Sequence, residues 1–537
     1  MFSFEITPLG NLFLALNLAV FGSLIFMKRE NLALMLLLFL SLSTIFYANN
    51  LITLFIGWEV MSWSSYFIIV KDVKLKTAQK YIIFNLGAGF ALLGAIVLIY
   101  NFSGTFIYSD IIFNKVPIPF RTPIYILLFI TIFVKSGIIP FHYWVIDTYK
   151  EAEDIFSAIL SAIISKAGIF LFITLFIKII GYKYIETNLL DIVAWLGVIT
   201  SIVATFKAIS QNSLKRLLAY SSIAQVGYIV TVLTILNSSG LEAGLYHTVI
   251  HTFVKLLLFV NIASIIYITK KDKFSELGGL IYSYPTLFIM LLIGIIGLAG
   301  MPPLGGFSSK FLIYTTLLEE KKALLLVAIM FSSASAFLYC YKLIYGIYLG
   351  HSKTDKKEHR KLSTLYYIPQ YIASLILIVL GFLPSLAIEI FNPILISLGF
   401  KPTNFSTLFE LNSNFASFNG GAIMAIFIAI FVVILLIVTS IKNRTVKTRD
   451  KLDISYCGEV PNPNSNLHYG YGVGEELRRV SFIGFILKNS VSPYWERVLV
   501  VVKESSIFLK RLYSLTIQNV GVVTIILFSI LLYIGVE

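Results

Sequence analysis

A small set of ionisable side chains stands inside stretches that are otherwise apolar. Glu59 sits in LFIGWEVMSW, Lys135 in ITIFVKSGIIPF, Lys166 in AIISKAGIFL and Lys310 in GGFSSKFLIY; His247, His251 and Lys255 share YHTVIHTFVKLLLF. A charge at the centre of a bilayer costs about 3 kcal/mol, so such residues face a protein interior or a water path and mark routes for protons or small cations. His247, His251 and Lys255 are spaced by four, which puts all three on one face of a helix. Lys178 and Lys342, nearer run ends, can snorkel to the interface, and Glu389 reads as an interface residue. No pocket for a carbon substrate is suggested.

The elements that hold these groups follow from composition. Of 537 residues, 58% are hydrophobic and only 13% charged, with a mean hydropathy of +0.86. Apolar runs of about twenty residues match a hydrocarbon core of about 30 Å. The sequence therefore predicts an all-α, polytopic membrane protein with about fourteen transmembrane helices. The runs are 8–27, 31–47, 51–70, 77–100, 123–146, 152–180, 189–206, 214–236, 241–269, 284–317, 323–349, 365–390, 420–441 and 516–534. The N-terminus has no basic region ahead of its first run, so a cleaved signal peptide is not expected.

Two runs carry breaks. Gly137 and Pro140 follow Lys135; Gly300, Pro302, Pro303, Gly305 and Gly306 precede Lys310. Proline removes a helical hydrogen bond, and freed carbonyls at membrane depth are tolerated only where protein or water meets them. Broken helices at corresponding places in two halves suggest two inverted five-helix repeats with the pathway at their interface. The expected division is N-terminal helices at 1–50, a first half-channel at 51–181, a second at 182–320 and further helices at 321–441. A cytoplasmic loop with a lateral amphipathic helix comes next at 442–515, and a final helix at 516–537. In the lateral helix Trp495, Val498, Leu499, Val502, Leu509 and Leu512 recur at helical spacing among Arg497, Lys503, Glu504, Lys510 and Arg511, the pattern of a helix lying in the interface.

The net charge of +14 reflects loops, not nucleic-acid binding. Odd-numbered connections hold about eighteen Lys and Arg, from Lys28 through Lys71, Lys150, Lys207 and Lys270 to Lys361; even ones hold about six. The odd side is then cytoplasmic and both termini lie outside. The two cysteines, Cys340 and Cys457, are too few and too far apart for a zinc or iron–sulfur site. The glycines of YGYGVGEELRRV follow no strand, so they are not read as a nucleotide loop.

The segments IGWEVMSWSSYFI, KSGIIPFHYWVIDTYKEA, SLKRLLAYSSIAQVGY, HTVIHTFVKLLLF and GLAGMPPLGGFSSKF, in that order, resemble the antiporter-like subunits of the respiratory complex I superfamily. Within it the chain is closest in type to those of group 4 membrane-bound hydrogenases and formate hydrogenlyase. That resemblance implies an ion relay of Glu59, Lys135, Lys166, His247, His251, Lys255 and Lys310. It places His142, Asp147 and Glu151, with Lys215, at the polar edge. It also implies that Glu59 and Lys135 form an ion pair that opens and closes, with Lys310 as the release point. No cofactor is expected in this chain; nickel–iron and iron–sulfur centres would sit in partner subunits. The expected partners are further antiporter-like membrane subunits, a soluble redox arm and lipid, in the cytoplasmic membrane of a prokaryote.

Two positions depart from the family pattern. Glu153, Asp154 and Ile155 stand where proline–threonine–proline is usual, and Ser213 stands where an aspartate is usual. Both are at the membrane edge and bear on ion access more than on the relay. Glu59 falls in the third apolar run instead of the fifth, so the resemblance is expected to lack the first two helices of the family. The segments ISYCGEVP and YGYGVGEELRRV resemble the stretch beyond the core in hydrogenase-type chains. A multisubunit sodium/proton antiporter and an inorganic-carbon uptake complex remain alternatives, neither needing redox chemistry.

Overall fold

The computed structural model describes residues 2–25, 27, 31–349, 362–441, 477, 479–488 and 491–513. The connection expected at 442–476 and the final helix expected at 516–534 lie outside the described residues. Two compact units are present, Met1–Leu487 and Lys488–Glu537.

In the first unit the helices are α1 Pro8–Leu24, α2 Leu32–Tyr47, α3 Leu51–Ile69, α4 Leu75–Ser103, α5 Ile118–Ser136, α6 Tyr143–Glu151, α7 Asp154–Ile180, α8 Thr187–Ile209, α9 Leu214–Leu233 and α10 Ser238–Thr269. They continue as α11 Pro285–Ala299, α12 Gly305–Glu319, α13 Ala323–Leu349, α14 Ile368–Phe382, α15 Ser385–Ser397, α16 Gly420–Ile441 and α17 Ser481–Lys488. Among the described residues, ten helices are long and apolar enough to cross a membrane, and α1, α2, α11 and α15 are shorter apolar helices. This is an integral membrane protein of helical architecture.

Local chemistry sets the helix starts. Thr7 Oγ1, Asn50 Oδ1, Ser213 Oγ and Asn237 Oδ1 each accept from a backbone N–H of the first turn, satisfying donors that have no helical partner. The two breaks are found where the sequence places them. Gly137 and Gly300 both have φ of +74°, a left-handed conformation that glycine adopts at no steric cost, and each ends a helix.

One expected run divides. Residues 365–390 form two helices, α14 and α15, because Leu383 leaves the helical region before Pro384, as the residue before a proline tends to do.

The core is α7, α9 and α10. The apolar windows of α7 and α10 are 94% buried, whereas that of α16 is only 6% buried and shows apolar side chains all round, as a lipid-facing helix would. Small residues allow close approach: a Cβ on Gly227 of α9 would stand 2.5 Å from the Gly197 carbonyl of α8, the packing that bilayer interiors favour. A hairpin of β1 Glu410–Asn412 and β2 Ser417–Asn419 is pinned by Phe418, whose ring lies 5.0 Å from those of Phe307 and Phe311 on α12.

The second unit is described through α18, Ser492–Tyr513. It is the helix expected at 491–513, and Trp495, Val498 and Leu499 share one of its faces.

Candidate functional site

The first cluster joins α3, α4 and α5. Lys135, at the end of α5, is fully buried and donates to Asn85 Oδ1 of α4 at 3.0 Å. Asn85 is itself held by its Nδ2 to the Tyr81 carbonyl at 2.8 Å. The Lys135 ammonium also lies 5.3 Å from the Trp58 ring centroid. The half-buried Glu59 carboxylate lies against Gly89 of α4, where a Cβ would fall 2.0 Å from its Oε1. The expected Glu59–Lys135 ion pair is not formed in this structure. No contact within 4.0 Å joins the two among the described ion pairs, because Asn85 takes the lysine and Gly89 makes room for the carboxylate. The break beyond Lys135 is satisfied by protein: Trp144 Nε1 donates to the Val134 carbonyl at 2.8 Å, and Ile139 N to Thr200 Oγ1 at 3.2 Å.

The second cluster connects α7 to α10 through α9. Residues Leu160–Ile164 of α7 form a π turn, a local widening that re-aims backbone groups and recurs at functional sites. Lys166 follows it, fully buried, and donates to the Ser161 carbonyl and to Ser165 Oγ. Ser161 Oγ meets Ser222 Oγ of α9 at 2.7 Å. Ser222 Oγ donates to the Leu218 carbonyl at 3.0 Å. That carbonyl also accepts from Lys255 Nζ at 3.3 Å, and Lys255 donates to Ser221 Oγ at 2.6 Å. Two serine hydroxyls and two backbone carbonyls thus lie between Lys166 and Lys255: the Ser161 carbonyl accepts from Lys166, and the Leu218 carbonyl accepts from both Ser222 and Lys255.

On α10 the rings of His247 and His251 are parallel, with centroids 6.4 Å apart. Both nitrogens of His251 are buried without a hydrogen-bond partner in the protein. His247 is held at both ends, Nδ1 against Ser309 Oγ at 3.0 Å and Nε2 against Gln225 Oε1 at 2.9 Å. Lys310, on the far side of the second break, reaches back to the Ala299 carbonyl at 2.7 Å and donates to Ser333 Oγ at 2.7 Å. It satisfies the end of α11, where the helix dipole favours a cation. The structure therefore brings Lys166, His247, His251, Lys255 and Lys310 into one polar region around α9 and α10.

The edge residues also converge. Asp147 pairs with Lys80 of α4 through one oxygen and with Arg216 of α9 through the other, the latter at 3.0 Å. Glu151 Oε2 accepts from Lys74 N at 3.3 Å. Lys215 Nζ lies 2.8 Å from Asp154 Oδ1. His142 stands in the first break with its Nδ1 buried and lacking a hydrogen-bond partner. Ser213 Oγ donates to Asp272 Oδ2 at 2.8 Å, so a carboxylate reaches the place where the sequence has serine. Burial pushes the Asp272 carboxyl above its ordinary value, with hydrogen bonds from Ser213 and the Lys215 N–H pulling it partly back.

Sequence reasoning did not single out Asn85, Gly89, Ser161, Ser221, Ser222, Gln225, Ser309 or Ser333. Leu218, Ser222 and Gln225 lie on one face of α9 by spacing, but serines in helices commonly bond their own backbone, so spacing alone did not mark them. Among the described residues, no group of three His, Cys, Asp or Glu could hold a metal ion, and Cys340 is buried and free.

Two broken helices flanking a buried line of lysines and histidines define the class: a membrane ion-translocation subunit of antiporter type. Residues 48–336, more than half of the chain, match the family described as NADH:quinone oxidoreductase/Mrp antiporter, TM, and the chain belongs to that family. It is 27% identical over 364 residues to NADH-quinone oxidoreductase subunit N of Azobacteroides pseudotrichonymphae, covering 67% of this chain and 75% of the relative. It is 29% identical over 381 residues to an Na(+)/H(+) antiporter subunit of Alkalihalophilus pseudofirmus, covering 64% of this chain and 47%, about half, of that protein. Its fold is similar to a chain of the membrane-bound sulfane sulfur reductase, an archaeal respiratory membrane complex. That match has a TM-score of 0.85 and 27% identity, with 99% of this chain and 89% of the other covered. A chain of respiratory complex I from Thermus thermophilus shares the fold at a TM-score of 0.61 and 22% identity, over 72% of this chain and 87% of that one.

Proposed function

We propose that this subunit moves protons along Glu59, Lys135, Lys166, Lys255, His251, His247 and Lys310 within a redox-driven membrane complex. The observation that carries the reading is that Lys166 and Lys255, fully buried on different helices, converge on one line of polar groups, the Ser161 carbonyl and hydroxyl, the Ser222 hydroxyl and the Leu218 carbonyl. The Ser161 and Ser222 hydroxyls are the exchangeable groups between the two lysines; the carbonyls only accept, so transfer past them needs water or rotation of a hydroxyl. Lys135 held by Asn85 represents one state. Closure onto Glu59 is the other, and a charge or conformational change from a neighbouring subunit shifts the balance through the contiguous polar groups.

The repeats 51–181 and 182–320 would each supply one half-channel. The Lys and Arg asymmetry supports a cytoplasmic side bearing Lys74, Lys150 and Lys270, with Ser239 outside. Cysteine labelling at Ser239 from outside, and at Thr354, which lies outside the described residues, from the cytoplasm tests that orientation. Nickel–iron and iron–sulfur centres would reside in a soluble redox arm, as the hydrogenase-like resemblance suggests. The helix at 492–513 would clamp neighbouring subunits and lipid headgroups. The similarity to an Na(+)/H(+) antiporter protein supports a second reading, sodium/proton exchange without redox chemistry.

Replacing Lys135 by Met in the assembled complex is the deciding experiment. The relay reading expects assembly and electron transfer to persist and proton translocation to be lost. Translocation at the wild-type ion-to-electron ratio would overturn it.

A further inference from the structure

Glu242 has no place in the relay above. It lies on the first turns of α10, is 3% exposed, and its Oε1 is buried without a hydrogen-bond partner. Thr403 lines the same cavity beside the carboxylate. Glu242 lines a polar cavity of about 290 Å³ that also meets Thr315 and Thr316 of α12, Asn404, and Asn414 of the β1–β2 hairpin. The second carboxylate in the lining, Glu319, is already used: one oxygen accepts from Ser239 Oγ at 3.2 Å and the other from Asn414 N at 3.0 Å. A carboxylate oxygen left unmatched beside a second carboxylate is unfavourable unless something occupies it. A proton, exchanged with water in the cavity, is the smallest occupant that satisfies it.

The cavity is also aligned with the relay. Leu312 and Thr316, which line it, stand three and seven residues beyond Ser309 on one face of α12, and Ser309 Oγ holds His247. Leu312, itself 5% exposed, is the apolar residue between Ser309 and Thr316 on that face.

We propose that Glu242 is the proton-exchanging carboxyl at the Ser239-side mouth of the second half-channel, taking a proton from cavity water through its cavity-facing side and returning it there. This rests on the proton-relay reading, and its test separates the two. The purified complex is examined by infrared difference spectroscopy on a pH step. A protonated-carboxyl C=O band is expected that disappears in Glu242→Gln and moves to higher frequency in Thr403→Val, where the polar hydroxyl beside the carboxyl is replaced by a methyl. The band is expected to persist in Lys135→Met, so failure of the relay leaves it intact. In vesicles, Glu242→Gln should lower proton translocation at least tenfold and Glu242→Asp should recover part of it. An unchanged spectrum in Glu242→Gln, or full translocation by that variant, would overturn the proposal. A band whose appearance is suppressed by sodium but not by potassium would overturn it in favour of a sodium site. If Glu242→Gln fails to assemble, the Thr403→Val band shift decides, and no shift counts against the proposal.

Discussion

Lys215 Nζ and Asp154 Oδ1 lie 2.8 Å apart although the residues are 61 positions apart in the chain. Asp154 opens α7 at the place where the family has proline–threonine–proline, and Lys215 opens α9. The carboxylate that looked anomalous in the sequence is the counter-ion of a lysine whose side chain is only 6% exposed. The pair ties together the starts of two of the three most buried helices.

Asp154→Asn should therefore destabilise the subunit by about 1–3 kcal/mol, the cost of a poorly matched charged group. The Asp154 side chain is 32% exposed, so the upper values for a sealed ion pair do not apply. Thermal unfolding of the detergent-solubilised complex measures the loss. In a double-mutant cycle, adding Lys215→Met to Asp154→Asn should cost much less than Lys215→Met does alone.

Asp272 gives a pH dependence of defined sign. Its folded-state pKa is raised above the ordinary 3.8 by burial, so the folded protein holds this proton more tightly than the unfolded chain. The associated stability is present below about 4 and is lost as pH rises through the raised value. Asp272→Asn should flatten that part of the stability curve, whereas Ser213→Ala, which removes a hydrogen bond to the carboxylate, should extend it to higher pH. Melting profiles of the three proteins between about pH 4 and pH 6 decide.

Gly89→Ala should fold, because the atom its Cβ meets is the end of the flexible Glu59 side chain. The carboxylate must then leave its seat on α4. Proton translocation is expected to fall about tenfold, equivalent to about 1.4 kcal/mol in the barrier, with assembly unchanged. Normal translocation by this variant would show that the seat beside Gly89 has no part in transport.

Ser222→Ala removes one hydroxyl from the chain between Lys166 and Lys255. Its backbone contribution to α9 is untouched, so a stability loss of about 1 kcal/mol is expected, with a larger effect on translocation than on electron transfer. Ser221→Ala, which removes an acceptor of Lys255 and a donor to the Leu218 carbonyl but no contact toward Ser161, should affect translocation less. Ion-to-electron ratios in vesicles compare the two.

Gly306→Ala is expected to prevent normal folding. Its Cβ would stand 1.9 Å from the Gly297 carbonyl, backbone against backbone across the second break, and cores do not absorb such overpacking cheaply. Failure of the protein to accumulate in membranes is the expected result; wild-type levels would contradict the close approach of α11 and α12.

The membrane class, the two breaks and the histidine–lysine stripe were legible in the sequence because their causes are local. Proline after glycine ends a helix wherever it stands, as at Gly137–Pro140 and Gly300–Pro303. A spacing of four puts His247, His251 and Lys255 on one face whatever surrounds the helix. Pro384 carried the same local signal, yet the run 365–390 read as one helix because apolar residues continue on both sides of it.

What the tertiary structure decided are the partners. Asn85 as the holder of Lys135, Gly89 as the seat of Glu59, and Ser161 with Ser222 as the link between Lys166 and Lys255 depend on which helices touch and at what rotation. The same holds for Asp272 meeting Ser213 and Asp154 meeting Lys215, pairs some 60 residues apart in sequence. Hydrophobic periodicity fixes that a helix is buried and which face is turned inward; it carries no information about which distant residue that face will meet.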